Sequence, residues 1–463
     1  MTTSTPYDRV FVGGTVVTPH ALVRADLGVR DGRIVAWENG MDTTGAEIVD
    51  CSGLMVLPGA VDMHFHCRAP GRTEREDFDS ATAAAAHGGV TTLAEMPIAR
   101  PSPHDAATFR ARVAHASSLA VVDFAFYGAG ASPSPQAAAA LAAEGAVGFK
   151  IFLHAAPAGR EDEFRNLCVT NSGELLRSLE ANAATGLVTC VHAEDDGLIR
   201  TLKQQFAATG RNDPGVLPAA HPPESEELAV YTVGMAAKLA GARTHICHVS
   251  SLEAARAVAF LRQNGVPLTA ETCPHYLLMG PDDIFAHGSL AKVNPPVRGA
   301  AHNAALRHAL HEGTLDAVAS DHAPFLKHEK DTDLLAAPGG MPCIEFFGPM
   351  MWDGIARGLW RWEQVTQWTA ETPARLLGLF PRKGNLAIGA DADIVLVDPQ
   401  GDYDITPASL FSKSRESAAP LAGRYHARTV ATYVRGNKVY DGAGTITAEK
   451  GYGVFLRNPA ARG

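Results

Sequence analysis

What this chain lacks narrows its identity first. It carries seven cysteines, at 51, 67, 168, 190, 247, 273 and 343, yet no C-x-x-C pair. Scattered and odd in number, they offer no zinc knuckle or redox motif and read as reduced, mostly buried thiols. The opening stretch MTTSTPYDRVFVGG has neither the basic start nor the apolar core of a secretory signal, and no later run is apolar enough to span a membrane. Cytoplasmic residence, with no membrane partner, is the default expectation. Positive charge is also short: 40 Lys and Arg against 50 Asp and Glu leave a formal charge of −10. Nucleic-acid binding needs clustered cations to meet phosphates, so no nucleic-acid partner is expected and a small molecule fits better.

What is present suits a globular protein. Of the 463 residues, 46% are hydrophobic and 19% charged, enough to bury a large core in one large domain with a smaller one beside it. Short β-branched runs with turn signals open the chain, at Val10–Val12, Thr15–Val17, Asp26–Val29 and Gly32–Ala36. The same texture returns in Ala392–Val397, Val430–Arg435 and Lys438–Tyr440, so residues 1–57 and 385–463 are assigned to one β-sandwich. Between them, residues 58–384 alternate apolar strands with Ala-rich helical stretches. The strands include Gly89–Glu95, Val147–Phe152, Leu187–His192, Thr244–Val249 and Leu315–Ala319, and the helices include Ser80–His87 and Leu252–Arg262. Repeated β-then-α units over this length predict an α/β fold, a (β/α)₈ TIM barrel.

The strands share one feature: nearly all end in a metal-capable or titratable side chain. His64 and His66 follow an apolar run and, by strand alternation, point the same way. Lys150 sits in the apolar strand GFKIF without an evident counter-ion, where burial disfavours an ammonium unless the stem snorkels. His192 and His248 each close a strand-like run, and Asp321 lies directly after one, before a Pro-broken loop. Singly, a histidine there is as well explained as a hydrogen-bonded core residue and the aspartate as a helix cap. Jointly, the order H-x-H, K, H, H, D at the barrel end where active sites form is poorly explained by chance.

That set resembles the cyclic amidohydrolases of the amidohydrolase superfamily, the group of dihydroorotase, allantoinase and hydantoinase. The resemblance covers nearly the whole chain, including the late segment KGNLAIGADADI. It implies two divalent cations, zinc foremost. His64, His66 and Asp321 would hold the buried ion and His192 and His248 the exposed one, with carboxylated Lys150 bridging both. A bridging hydroxide would attack the ring carbonyl while Asp321 acts as catalytic base and then acid. A homodimer or homotetramer is also implied.

Substrate choice is divided. Arg68 matches the arginine that grips the carboxylate in dihydroorotase, and Asn294 in NPPVR matches its substrate-binding asparagine. Their alternatives are a surface salt bridge and a turn-forming Asn. Ile98 and Phe325 depart from that pattern, whereas GRTE, EFR, ETCPHY and GSLAK look more like allantoinase, and Phe325 is similar to the hydantoinases. Gly340 and Pro342, in GGMP, are read as part of a flexible substrate loop with backbone groups free for hydrogen bonding. The expected reaction is ring opening of a cyclic amide or ureide of the dihydroorotase and allantoinase kind. The alternatives are a hydantoinase, dihydropyrimidinase or cyclic-imide hydrolase, a hydrolase of linear amides, a deaminase, and a noncatalytic scaffold on the same fold.

Overall fold

A computed structural model describes residues 6–458. Its centre is a sheet of eight parallel strands, each hydrogen-bonded to the next in chain order: Ala60–Phe65, Val90–Glu95, Asp123–Ala129, Gly148–Phe152, Val188–His192, Thr244–Ile246, Leu268–Thr272 and Ala317–Val318. The first and last strands meet through a bridge between Phe65 and His322, which brings the sheet round into a barrel. Strands such as GFKIF and VTCVH are buried along their whole length, as strands covered by helices outside and packed side chains inside must be.

Helices begin almost at once after several strands because capping residues stand there. Asp195 accepts from the backbone of Leu198 at 2.8 Å to start helix Asp196–Ala208, and Ser251 accepts from Ala254 at 3.2 Å to start Leu252–Gln263. The turns after Val188–His192 and Thr244–Ile246 are therefore short, and residues just past these two strands stay at the barrel mouth, whereas long segments follow Ala60–Phe65, Val90–Glu95 and Gly148–Phe152. The sixth and eighth strands are shorter than expected, ending at Ile246 and Val318; His248 therefore lies in a turn rather than in its strand, and Asp321 follows the eighth strand as expected.

Both chain ends build a β-sandwich. One sheet of four strands contains Arg9–Val12, Asp26–Arg30, Arg33–Glu38 and Glu47–Asp50. The other, of six strands, joins early and late sequence through antiparallel pairing of Met55–Pro58 with Ile394–Asp398. Phe11, Val16, Leu27, Ile34, Leu396 and Tyr433 fill the space between them. Lys383 fastens this unit to the foot of the barrel, its buried ammonium 2.6 Å from Asp123, 3.0 Å from Asp391 and 2.7 Å from Asp393. After the last strand the chain returns to the barrel, where Leu456 donates to Phe124 at 2.7 Å and packs among its core residues. No helix among the described residues is long and apolar enough to cross a membrane.

Candidate metal centre

The strand ends bring together residues that lie far apart in sequence. Nε2 of His64 stands 3.3 Å from Oδ1 of Asp321, and Nε2 of His66 stands 3.6 Å from the same oxygen. Nδ1 of His192 faces Nε2 of His248 at 2.8 Å, and the His248 ring lies 5.2 Å from that of His64. Lys150 is fully buried beside them, with Nζ 2.9 Å from Sγ of Cys247 and no ion pair among the described residues. His248 and Asp321 adopt φ of 39° and 47°, and Arg68 72°, a left-handed conformation that side chains disfavour and that gathers at functional sites.

Two carboxylates behind the histidines set their tautomers. Glu271 Oε1 lies 2.5 Å from His64 Nδ1, and Glu194 Oε2 lies 3.0 Å from His192 Nε2. An ionised carboxylate only accepts, so each imidazole turns its N–H toward the carboxylate and its lone pair toward the cluster. Burial, with Lys150 adding to it, pulls His64 down to about 4; burial likewise holds His66 and His248 well below the ordinary histidine value. Neutral imidazoles result, the form that ligates metals. Burial pushes Asp321 up to about 8 against the opposing pull of Lys150. Converging lone pairs, a carboxylate deprived of water and a lysine without a counter-ion fit divalent cations, and the nitrogen and oxygen donors suit zinc, manganese, cobalt or iron.

The cluster opens into a cavity of about 420 Å³ lined also by Arg68, Ile98, Asn294, Phe325 and Gly340. Arg68 is only 5% exposed, and its Nε and Nη1 have no hydrogen-bond partner among the described residues; its guanidinium lies 5.3 Å from the Phe325 ring centroid. The loop expected to offer free backbone groups behaves differently at Gly340. Its N–H donates to the Lys292 carbonyl at 2.9 Å, and its own carbonyl accepts from buried Lys330. Gly340 thus gives the cavity room rather than hydrogen bonds: at its φ of 149°, a Cβ would come within 2.7 Å of the Ala323 carbonyl oxygen. Pro342 is buried and stands outside the cavity wall.

Several participants were not singled out from sequence. Glu271 carried a signal, a carboxylate within the apolar strand Leu268–Thr272, and Glu194 follows His192 by two residues. Lys203 and His221, which also line the cavity, lie on a helix and in a loop where spacing carries no such hint.

Comparison with known proteins agrees with this geometry. An allantoinase from Bacillus velezensis is 34% identical over 454 residues, covering 97% of this chain and 98% of that protein. An allantoinase from Escherichia coli is 32% identical over 441 residues, 94% of this chain and 95% of its own. Among solved structures, an L-hydantoinase (dihydropyrimidinase) from Arthrobacter aurescens superposes with a TM-score of 0.91 at 30% identity, covering 97% of this chain and 100% of that one. A dihydropyrimidinase from Brevibacillus agri gives 0.88 at 28%, covering 97% and 98%. The family model described as amidohydrolase family matches residues 55–439, the stretch that contains every strand-end residue of the cluster, and the chain belongs to that family.

Proposed function

We propose that this protein opens the ring of a cyclic ureide of the allantoin kind by hydrolysing a C–N bond. At the coarser level the reaction is metal-dependent hydrolysis of a cyclic amide. The observation that carries it is the convergence of His64, His66 and Asp321 with the His192–His248 pair and Lys150 at one barrel mouth. We assign His64, His66 and Asp321 to one cation and His192 and His248 to a second, with zinc as the ion and Lys150, carboxylated, as the shared ligand. Bound there, divalent cations supply Lewis acidity at the carbonyl and make water ionise near neutral pH.

The chain's own groups complete the reaction. Asp321 takes the proton released as water oxygen bonds to the ring carbonyl carbon, then delivers it to the ring nitrogen as the C–N bond breaks. Arg68, whose buried guanidinium has free donors among the described residues, holds an oxygen of the substrate, and Asn294, which lines the same cavity, contacts the ring. The same free guanidinium supports a second reading, an acidic ring of the dihydroorotate kind, because a carboxylate matches its fork. The allantoinase relatives, similar over almost their full length, favour the ureide.

The test is a panel of allantoin, dihydroorotate, hydantoin, dihydropyrimidine and cyclic imide, offered to metal-replete protein. Highest kcat/KM on allantoin is expected. Preference for dihydroorotate would select the second reading, and no ring opened, with less than one ion per chain, would select a noncatalytic scaffold.

The free thiols support residence in the reducing cytoplasm. For the homodimer or homotetramer, the outer face of helix Pro223–Ala240 is a candidate contact. Leu228, Met235 and Leu239 are exposed there beside Phe260, with Glu224 near the helix start and Lys238 near its end, so an antiparallel pair of copies would be complementary in charge. Light scattering of Met235→Glu against the parent protein tests that contact.

A further inference from the structure

The cavity is larger than the ring chemistry needs. A volume of about 420 Å³ falls in the range that accepts a ligand of drug size, more than a bare five-membered ring fills. The surplus includes a region bounded by the helix Asp196–Ala208, where Ile199 and Lys203, one turn apart, both face the cavity. Lys203 is half-buried and has no hydrogen bond or ion pair among the described residues.

His221 lines the same cavity and is 3% exposed. Its Nδ1 lies 2.7 Å from Oε1 of Glu194, the carboxylate whose other oxygen faces His192. That carboxylate accepts a hydrogen bond from Nδ1–H, so Nε2 presents a lone pair; this nitrogen is buried and has no partner among the described residues. Burial holds His221 below the ordinary histidine value, in keeping with a neutral ring. Lys292 is less available as a donor, because two of the three N–H groups of its ammonium are engaged by the carbonyls of Leu334 and Leu335 at 2.7 and 3.0 Å.

One free donor and one free acceptor therefore face the cavity beside Ile199, on a wall that also carries the carboxylates of Glu194 and Asp196. A carboxylate would satisfy Lys203 but set its own lone pairs against that of His221. An alkyl group would leave both unpaired. We propose that Lys203 and His221 form a subsite for an amide- or urea-like substituent on the substrate ring, with Lys203 donating to its carbonyl oxygen and His221 Nε2 accepting from its N–H. This rests on the ring-opening reading and adds the residues that select the ring's substituent.

The experiment measures, on metal-replete enzyme, the ratio of kcat/KM for hydantoin bearing a ureido group at C5 to that for hydantoin bearing an isobutyl group there. Each lost hydrogen bond is expected to lower that ratio about tenfold or more, mainly through KM, in Lys203→Met and in His221→Phe, with Lys203→Arg restoring part of it. Thermal melts check that the variants fold; Lys203, on a helix surface, reads the proposal even where buried His221 tolerates no change. An unchanged ratio in Lys203→Met overturns it. Should the parent enzyme open neither ring, the ring-opening reading fails separately, and calorimetric titration of the same compounds decides the subsite. A preference for the ureido compound that Lys203→Met abolishes supports it, and equal or absent binding overturns it.

Discussion

Glu271 lies directly behind His64, with Oε1 2.5 Å from Nδ1, and its second oxygen is 3.3 Å from Nε2 of His245. All three side chains are buried. Burial works to raise the Glu271 carboxyl, but His64 and His245 outweigh it and hold it below the usual carboxylate range. The ionised carboxylate then fixes the His64 proton on Nδ1 and aims Nε2 at Asp321. Outer partners of this kind are worth about tenfold to hundredfold in metal affinity. Glu271→Gln should weaken metal retention by that factor in competition with a chelator, and undiminished affinity would show that His64 needs no such support.

Lys150 has a thiol as its hydrogen-bond partner and, among the described residues, no carboxylate paired with it. If carboxylation makes it the shared ligand, Lys150→Ala should lose most of its bound metal and its activity together. Short carboxylic acids such as propionate should restore part of both. Metal analysis of the purified variant is the check, and two ions retained without added acid would remove the lysine from the centre.

Asp321 is assigned both a ligand oxygen and the proton transfer. Asp321→Asn keeps the shape but cannot take a proton, so kcat should fall by about 10²–10⁴, the usual range for a lost general base or acid. The measurement pairs steady-state kinetics with metal content. Near-parental turnover in metal-loaded Asp321→Asn would assign the proton to another group.

Lys330 gives a pH dependence outside the reaction. Its fully buried ammonium donates to the carbonyls of Lys292, at 2.9 Å, and Gly340, and burial pulls its pKa from 10.5 to about 7. Between those values the unfolded chain holds a proton that the folded chain has shed, so stability attributable to this group rises with pH across that window and is flat below it. The stability difference between the parent and Lys330→Met should therefore grow from pH 7 to pH 9, by at most about 1.4 kcal/mol per unit. Urea denaturation at several pH values reads it, and a constant difference would contradict it.

The barrel and its principal residues were legible because a parallel β/α fold writes itself locally. Apolar strands of about five residues alternate with capped helices, and each strand's last polar residue marks the mouth. His64, His66, His192 and Asp321 could be picked out without knowing any contact between them, since barrel closure alone makes strand ends neighbours. The sixth strand was read too long, to Val249, because His248 continues an apolar run, and the eighth was read as Leu315–Ala319 because apolar residues flank Ala317–Val318 on both sides. His248 and Asp321 both take a left-handed φ in the turns, and no composition signal announces it for residues other than glycine.

By itself, then, the sequence determined the fold class, the pairing of the two chain ends in one β-unit and which side chains gather at the barrel mouth, all consequences of periodicity and residue type. Only the tertiary structure decided which carboxylate stands behind which imidazole, that the Gly340 backbone is already engaged, and that Lys203 and His221 face one cavity. Those outcomes depend on how helices and loops pack across separations such as the 207 residues between His64 and Glu271, over which local spacing carries no information.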